Sequence, residues 1–172
     1  MGSVRRALLE DAAAIAAVHL AAWKTTYPGI LPESFLAAQS LDERIVTWRE
    51  RLANPGPKSS VFVACSRDGD VIGFAWGGPS RRPEAGCEGE LFSIYLLKEA
   101  QGQGIGALLL KSVAKSLIEN ELRSMAVWVF AVNPARHFYE ALGARPVTEK
   151  KFDWGGELLT EIAYVWPDLT AL

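Results

Sequence analysis

The chain has 172 residues, 49% hydrophobic and 22% charged, which fits one domain over residues 1–172 with a substantial apolar core. Eighteen basic and twenty acidic side chains leave a net charge of −2 with no basic block, which argues against a nucleic-acid partner. No stretch approaches the roughly 18 uninterrupted apolar residues of a membrane span, so the chain reads as soluble and cytoplasmic with no membrane partner.

Val4 to Leu8 reads as a first strand, and Glu10 and Asp11 then signal a helix carrying Ile15, Val18 and Ala22 at helical spacing as far as Trp23. Tyr27, Pro28, Gly29 and Pro32 break the pattern. Glu33 to Gln39 and Arg44 to Ala53 follow as helical pieces, separated by a turn over Ser40 to Glu43. Ser60 to Ser66 and Val71 to Gly77 are strand-like, and Asp68-Gly69 between them is a hairpin signal. A polar loop from Pro79 to Gly89 leads to the strand Glu90 to Leu97, which runs into a Gly-rich turn. Ile105, Leu109, Val113 and Leu117 form one stripe of a helix reaching about Asn120. Met125 to Val132 is a strand and Ala135 to Leu142 a short helix stopped by Gly143. Arg145 to Glu149 is a candidate strand, and Leu158 to Trp166 a final one after a Gly155-Gly156 turn. Sequential strands broken by helices predict an α+β fold, a mixed, mainly antiparallel sheet of about seven strands flanked by helices.

Cys65 falls in an apolar run and Cys87 in a Gly- and Glu-rich turn, with no CxxC spacing, so both read as unpaired thiols. His19 and His137 are the only histidines and lack ligand spacing, so no metal is expected.

The most informative stretch is Gln101-Gly102-Gln103-Gly104-Ile105-Gly106, between a strand and a helix. A helix start offers amide N–H groups without intrahelical partners, and glycines let a phosphate approach the backbone. A Walker loop needs Gly-Lys-Ser/Thr, whereas Gly106 is followed by Ala107 and Leu108. The dinucleotide fingerprint G-x-G-x-x-G differs from the G-x-G-x-G here, and this turn follows three antiparallel-looking strands instead of opening a βαβ unit. A nicotinamide-dependent enzyme stays as an alternative.

Gln101-x-x-Gly104-x-Gly106, after Leu91-Phe92-Ser93-Ile94-Tyr95-Leu96, resembles the acetyl-CoA motif of the Gcn5-related N-acetyltransferases. Downstream, Asn133-Pro134-Ala135-Arg136-His137-Phe138-Tyr139-Glu140-Ala141-Leu142-Gly143 resembles that family's Asn…Ala…Phe-Tyr-Glu-x-Leu-Gly segment, with one residue fewer between Asn133 and Tyr139. The N-terminal part, with His19, Trp23, Tyr27 to Pro32 and Trp48, is similar to one subgroup whose acceptors are mostly unassigned.

The resemblance implies an N-acetyltransferase moving acetyl from acetyl-CoA to a primary amine of a small molecule or peptide; a non-catalytic CoA-binding or sensing module is the alternative. It implies a cofactor arm lying between the strands Glu90 to Leu97 and Met125 to Val132, held by Ile94, Tyr95 and Leu96. The diphosphate would meet Gln101, Gly102, Gln103, Gly104, Ile105, Gly106 and Ala107, with Asn133 and Tyr139 beside the arm. The Leu96 N–H is the candidate oxyanion donor. Tyr139, a phenol of pKa about 10, suits protonation of the leaving thiolate. An ammonium acceptor must lose a proton, and Glu90 is the candidate base with Glu88 in reserve. Regular alternation puts Glu90 on one face with Phe92, Ile94 and Leu96, although a bulge would break it. Trp23, Tyr27 and Trp76 are candidate acceptor-binding residues, and His19, one turn before Trp23, could face the same channel. His137 reads as a surface residue. The acceptor, the acyl length and the oligomeric state stay open, a homodimer included.

Overall fold

A computed structural model describes residues 3–154 and 156–172; the Gly155 half of the predicted Gly155-Gly156 turn lies outside the described residues. Seven strands form one sheet: β1 (Ser3–Arg6), β2 (Ser60–Cys65), β3 (Val71–Pro79), β4 (Gly89–Leu96), β5 (Met125–Phe130), β6 (Arg145–Trp154) and β7 (Glu157–Trp166). Their order across the sheet is β1-β2-β3-β4-β5-β7-β6. Every neighbouring pair is antiparallel except β4 and β5, which run parallel. The predicted α+β class and strand number hold.

Among the described residues five α-helices flank the sheet: α1 (Ala12–Thr26), α2 (Glu33–Ala37), α3 (Leu41–Ala53), α4 (Ile105–Glu119) and α5 (Arg136–Ala141). On one face α4 buries Leu109, Leu110, Val113 and Leu117 against Phe62, Ala75, Leu91, Val127 and Val129. On the other, Ile15 and Val18 of α1 and Trp48 of α3 pack on Val61, Val63 and Phe74. The alternation of strand side chains sends odd and even positions of β2 into separate cores, so all six residues of β2 are buried. Gly77 lets α4 come close: a Cβ there would sit 2.5 Å from Val113 Cγ1 and 2.9 Å from the Glu90 carbonyl oxygen. Asp11 joins β1 to the start of α1, accepting from both Arg5 Nη atoms at 2.7 and 2.9 Å and from the Leu8 N–H at 2.7 Å.

Three local expectations change. The predicted Ser40 to Glu43 turn is the start of α3, with Ser40 Oγ accepting the Glu43 N–H at 3.3 Å; Ser40-x-x-Glu43 is a capping-box sequence. The last hairpin is longer than predicted, because β6 runs to Trp154 and pairs with β7 along its length. The Gly-rich turn does open a βαβ unit, since α4 crosses from β4 to the parallel β5.

Leu109 is fully buried between α4 and the sheet. Leu109→Ala should cost about 3 kcal/mol and lower Tm by roughly 10 °C, read by denaturant and thermal unfolding.

Candidate active site

The parallel pair β4–β5 has only three rungs: Gly89↔Met125, Glu90↔Ala126 and Leu91↔Val127. Its cause is visible on the other side of β4. Trp76 of β3 faces Ser93, but the next residue, Gly77, faces Leu91, so Phe92 is an extra residue and β4 bulges there. A bulge bends its strand and increases its twist, and beyond it β4 and β5 diverge. Leu97 donates its N–H to the Ile72 carbonyl at 2.9 Å. Antiparallel alternation then turns the backbone groups of Ile94 and Leu96 away from β3, onto the edge that β5 has left. Gln101 Nε2 reaches the Leu96 carbonyl at 3.4 Å.

A cavity of about 720 Å³ occupies this gap, within the range of small-ligand sites. It passes from the α4 face, lined by Leu96, Gly106, Ala107, Phe138 and Tyr139, to the α1 face, lined by Tyr27, Ser93, Trp128, Phe130 and Glu161.

At the α4 end the chain leaves Ala100 and turns through Gly102 (φ 73°) and Gly104 (φ 79°) into α4. These left-handed angles are cheap only for glycine. Gly104 is the N-cap and has no side chain to cap with. The next hydrogen bond along the chain is Leu108 N–H to the Gly104 carbonyl. The amides from Gly102 to Ala107 therefore have no acceptor among the described residues. Six consecutive donors thus stand open at the positive end of a 15-residue helix, the chemistry that suits an anion. Lys98 also lines the cavity beside this turn, a cation that sequence reading did not single out.

Asn133 is buried, and its Oδ1 accepts the Ala135 N–H at 2.9 Å. That bond shapes the entry to α5 and sets Tyr139, 6% exposed, against Phe138, Tyr164 and Trp166. Burial pushes the Tyr139 phenol well above its ordinary value, so it stays protonated. At the cavity's middle the Tyr27 and Tyr95 hydroxyls are 2.6 Å apart. Both phenols are pushed up, mainly by burial, and Tyr27 is raised next by its neighbour Tyr95 and, more weakly, by Glu161.

The structure places most, but not all, of the predicted residues on the cavity. Ile94, Tyr95, Leu96, Gln101, Gly102, Gly104, Gly106, Ala107, Asn133, Tyr139 and Tyr27 line it. Gln103 turns its side chain back to the Glu99 carbonyl at 2.8 Å, and Ile105 packs in the core under α4, so these two contribute only their backbone amides to the open run. Trp23 stands behind Tyr27, with ring centroids 5.1 Å apart, and carries Arg44 on its face. Trp76 lies against Phe92 and between Arg51 and Arg81. Neither tryptophan lines the cavity.

Glu90 needs a larger correction. The bulge at Phe92 breaks the alternation, and Glu90 sits on the paired, closed part of β4, off the cavity. Its carboxylate is buried and accepts the Arg81 N–H at 2.9 Å and Arg81 Nη2 at 3.1 Å. Glu88 accepts the Arg123 N–H at 2.6 Å and is also outside the cavity. The carboxylate that does line it is Glu161, on β7 opposite Phe130. Its side chain is 19% exposed, and Oε2 accepts Arg82 Nη2 at 2.7 Å. Arg82 in turn lies 3.8 Å from the Trp128 ring centre.

His19 does not open onto the cavity. Its Nδ1 meets Arg44 Nη1 at 2.9 Å and the Trp48 Nε1–H at 3.2 Å, and its ring packs on Tyr95. His137 is exposed, with Nδ1 3.0 Å from Glu140.

Residues 20–144 match the acetyltransferase (GNAT) family. Over 172 residues the chain is 42% identical to the uncharacterised N-acetyltransferase YuaI of Bacillus subtilis, covering 100% of this chain and 96% of that one. Two solved structures share the fold. The PaiA N-acetyltransferase of Thermoplasma acidophilum, in complex with coenzyme A, has a TM-score of 0.70 at 21% identity, over 94% of this chain and 98% of its own. YncA of Salmonella typhimurium, a putative acetyltransferase bound to acetyl-CoA, has a TM-score of 0.73 at 21% identity, over 98% and 94%. The chain belongs to the acetyltransferase (GNAT) family, whose co-substrate is acetyl-CoA, and is an N-acetyltransferase.

His19 is held neutral, its pKa driven from 6.5 to about 3 by burial and then by Arg44 and Arg51. The unfolded chain binds a proton that the folded one refuses, so this stability is complete above pH 6.5 and is lost as the pH falls toward 3. Unfolding titrations should show His19→Gln with a shallower loss of stability than the parent between about pH 6.5 and pH 4.

Proposed function

We propose that this acetyltransferase moves an acetyl group from acetyl-CoA to a primary amine of a small molecule or peptide, with transfer taking place in the gap between β4 and β5. One observation carries the reading: six amides without an acceptor among the described residues, Gly102 to Ala107, stand at the head of α4 beside a cavity that crosses the sheet. The complexes of PaiA with coenzyme A and of YncA with acetyl-CoA support it.

In this mechanism the amides of residues 102–107 hold the diphosphate, and Lys98 adds a positive charge beside it. The free backbone edge at Ile94 and Leu96 pairs with the pantetheine amides in place of the missing strand. The Leu96 N–H lies on that edge and stabilises the charge that develops on the thioester oxygen during attack. Glu161 takes the proton from the incoming ammonium. The amine nitrogen then forms the new C–N bond as the C–S bond breaks. Tyr139 gives its proton to the leaving sulfur and regains one from the acylated nitrogen, leaving a neutral amide and a free thiol. Glu90 acts at a distance as a positioning residue. By fixing Arg81 it anchors the loop whose next residue, Arg82, holds Glu161.

Acetyl-CoA should raise Tm in a dose-dependent way. Gly104→Glu should abolish that shift, whereas Gly104→Ala, which carries the same backbone strain without the charge, should keep most of it. Tyr139→Phe should lower kcat about a hundredfold with little change in the KM for acetyl-CoA. Glu161→Gln should show a similar deficit at neutral pH that shrinks as the pH rises toward the acceptor's own pKa, because a deprotonated amine needs no base. Tight binding of acetyl-CoA with no thiol release from any amine would overturn the catalytic reading.

A further inference from the structure

The α1 side of the cavity has an unusual charge content. Glu161 is the only carboxylate lining the cavity among the described residues, and Lys98, the only lining cation, lies at the opposite end beside the glycine turn. Glu161 spends Oε2 on Arg82, and Oε1 has no protein partner among the described residues. Arg82 is consumed in turn by that ion pair and by the Trp128 face. One free carboxylate oxygen is thus the single charged group on offer to an acceptor.

Around it the walls are aromatic: Tyr27, Phe92, Trp128 and Phe130. Tyr27 and Phe130 belong to a closed circuit of six rings. It runs Tyr27, Phe130, Phe152, Trp154, Phe35, Trp23 and back to Tyr27, with successive centroids 5.0 to 6.0 Å apart. This circuit joins the end of α1 and α2 to the β6–β7 hairpin, so the aromatic wall is braced from behind.

We infer that the acceptor is a monoamine whose ammonium meets Glu161 Oε1 and whose adjacent body is apolar and stacks on Tyr27 and Phe130. This rests on the acetyl-transfer reading above and narrows its amine to a class. A carboxylate next to the amine, as in a free amino acid, would face Glu161 with no free cation to pair with. A second ammonium, as in a polyamine, would find rings but no second carboxylate, and rings offset only part of its desolvation.

Thiol release with the full-length protein and acetyl-CoA, measured on 2-phenylethylamine, phenylalanine and spermidine, tests this. The expected result is a kcat/KM for 2-phenylethylamine at least about tenfold above the other two. Phe130→Ala and the milder Phe130→Leu should both raise the KM for 2-phenylethylamine while leaving the acetyl-CoA thermal shift intact. Preference for phenylalanine or spermidine overturns this inference and leaves the acetyl-transfer reading standing. So does a thermal shift with acetyl-CoA but no turnover of 2-phenylethylamine, if another amine is acetylated. Absence of any acetyl-CoA shift overturns both.

Discussion

Everything at this site depends on β4 and β5 parting after three rungs. A parallel pair left to itself would continue its ladder, because buried backbone groups without partners are costly. The additional residue at Phe92 prevents that by rotating the end of β4 out of register with its neighbour on the far side. The same distortion has two effects. It leaves the Ile94 and Leu96 edge without a strand partner, and it makes a passage between the two cores that an unbroken sheet would separate.

The passage is electrically polarised. At the α4 end, a helix terminus and Lys98 supply positive potential without a balancing side chain among the lining residues. At the α1 end stands one carboxylate, restrained by Arg82 and surrounded by rings. Between them lie three phenols, Tyr27, Tyr95 and Tyr139, all held protonated by burial. An anionic group and a cationic group entering from opposite faces would each meet the favourable end first.

Much of this was legible in the sequence, and what was missed has physical reasons. The turn with its open amides could be read because the spacing of Gly102, Gly104 and Gly106 and its place between a strand and a helix are both local. The place of Tyr139 on the cavity could be read for the same reason, with Gly143 ending its helix (φ 86°). Glu90 was misplaced because an added residue leaves no mark in Glu90-Leu91-Phe92-Ser93-Ile94, where either register is equally apolar. Glu161 was missed because only the pairing of β7 with β5, at Phe130↔Glu161, brings it to the gap. The available hint was an acidic residue interrupting an apolar strand, Thr160-Glu161-Ile162. Trp76 is a candidate for its large ring and Trp23 also for its place where the first helix meets a Pro/Gly loop, and the two support Phe92 and Tyr27 from behind.

The Arg82 contact also separates control from chemistry. The guanidinium that steadies Glu161 is delivered by the connection between β3 and β4, whose anchor is the bond of Arg81 to the buried Glu90. Insertions, deletions or changes of stiffness in that connection would therefore reset the orientation of the Glu161 carboxylate while every wall of the chamber kept its identity. The carboxylate is thus aimed from outside the chamber's own walls.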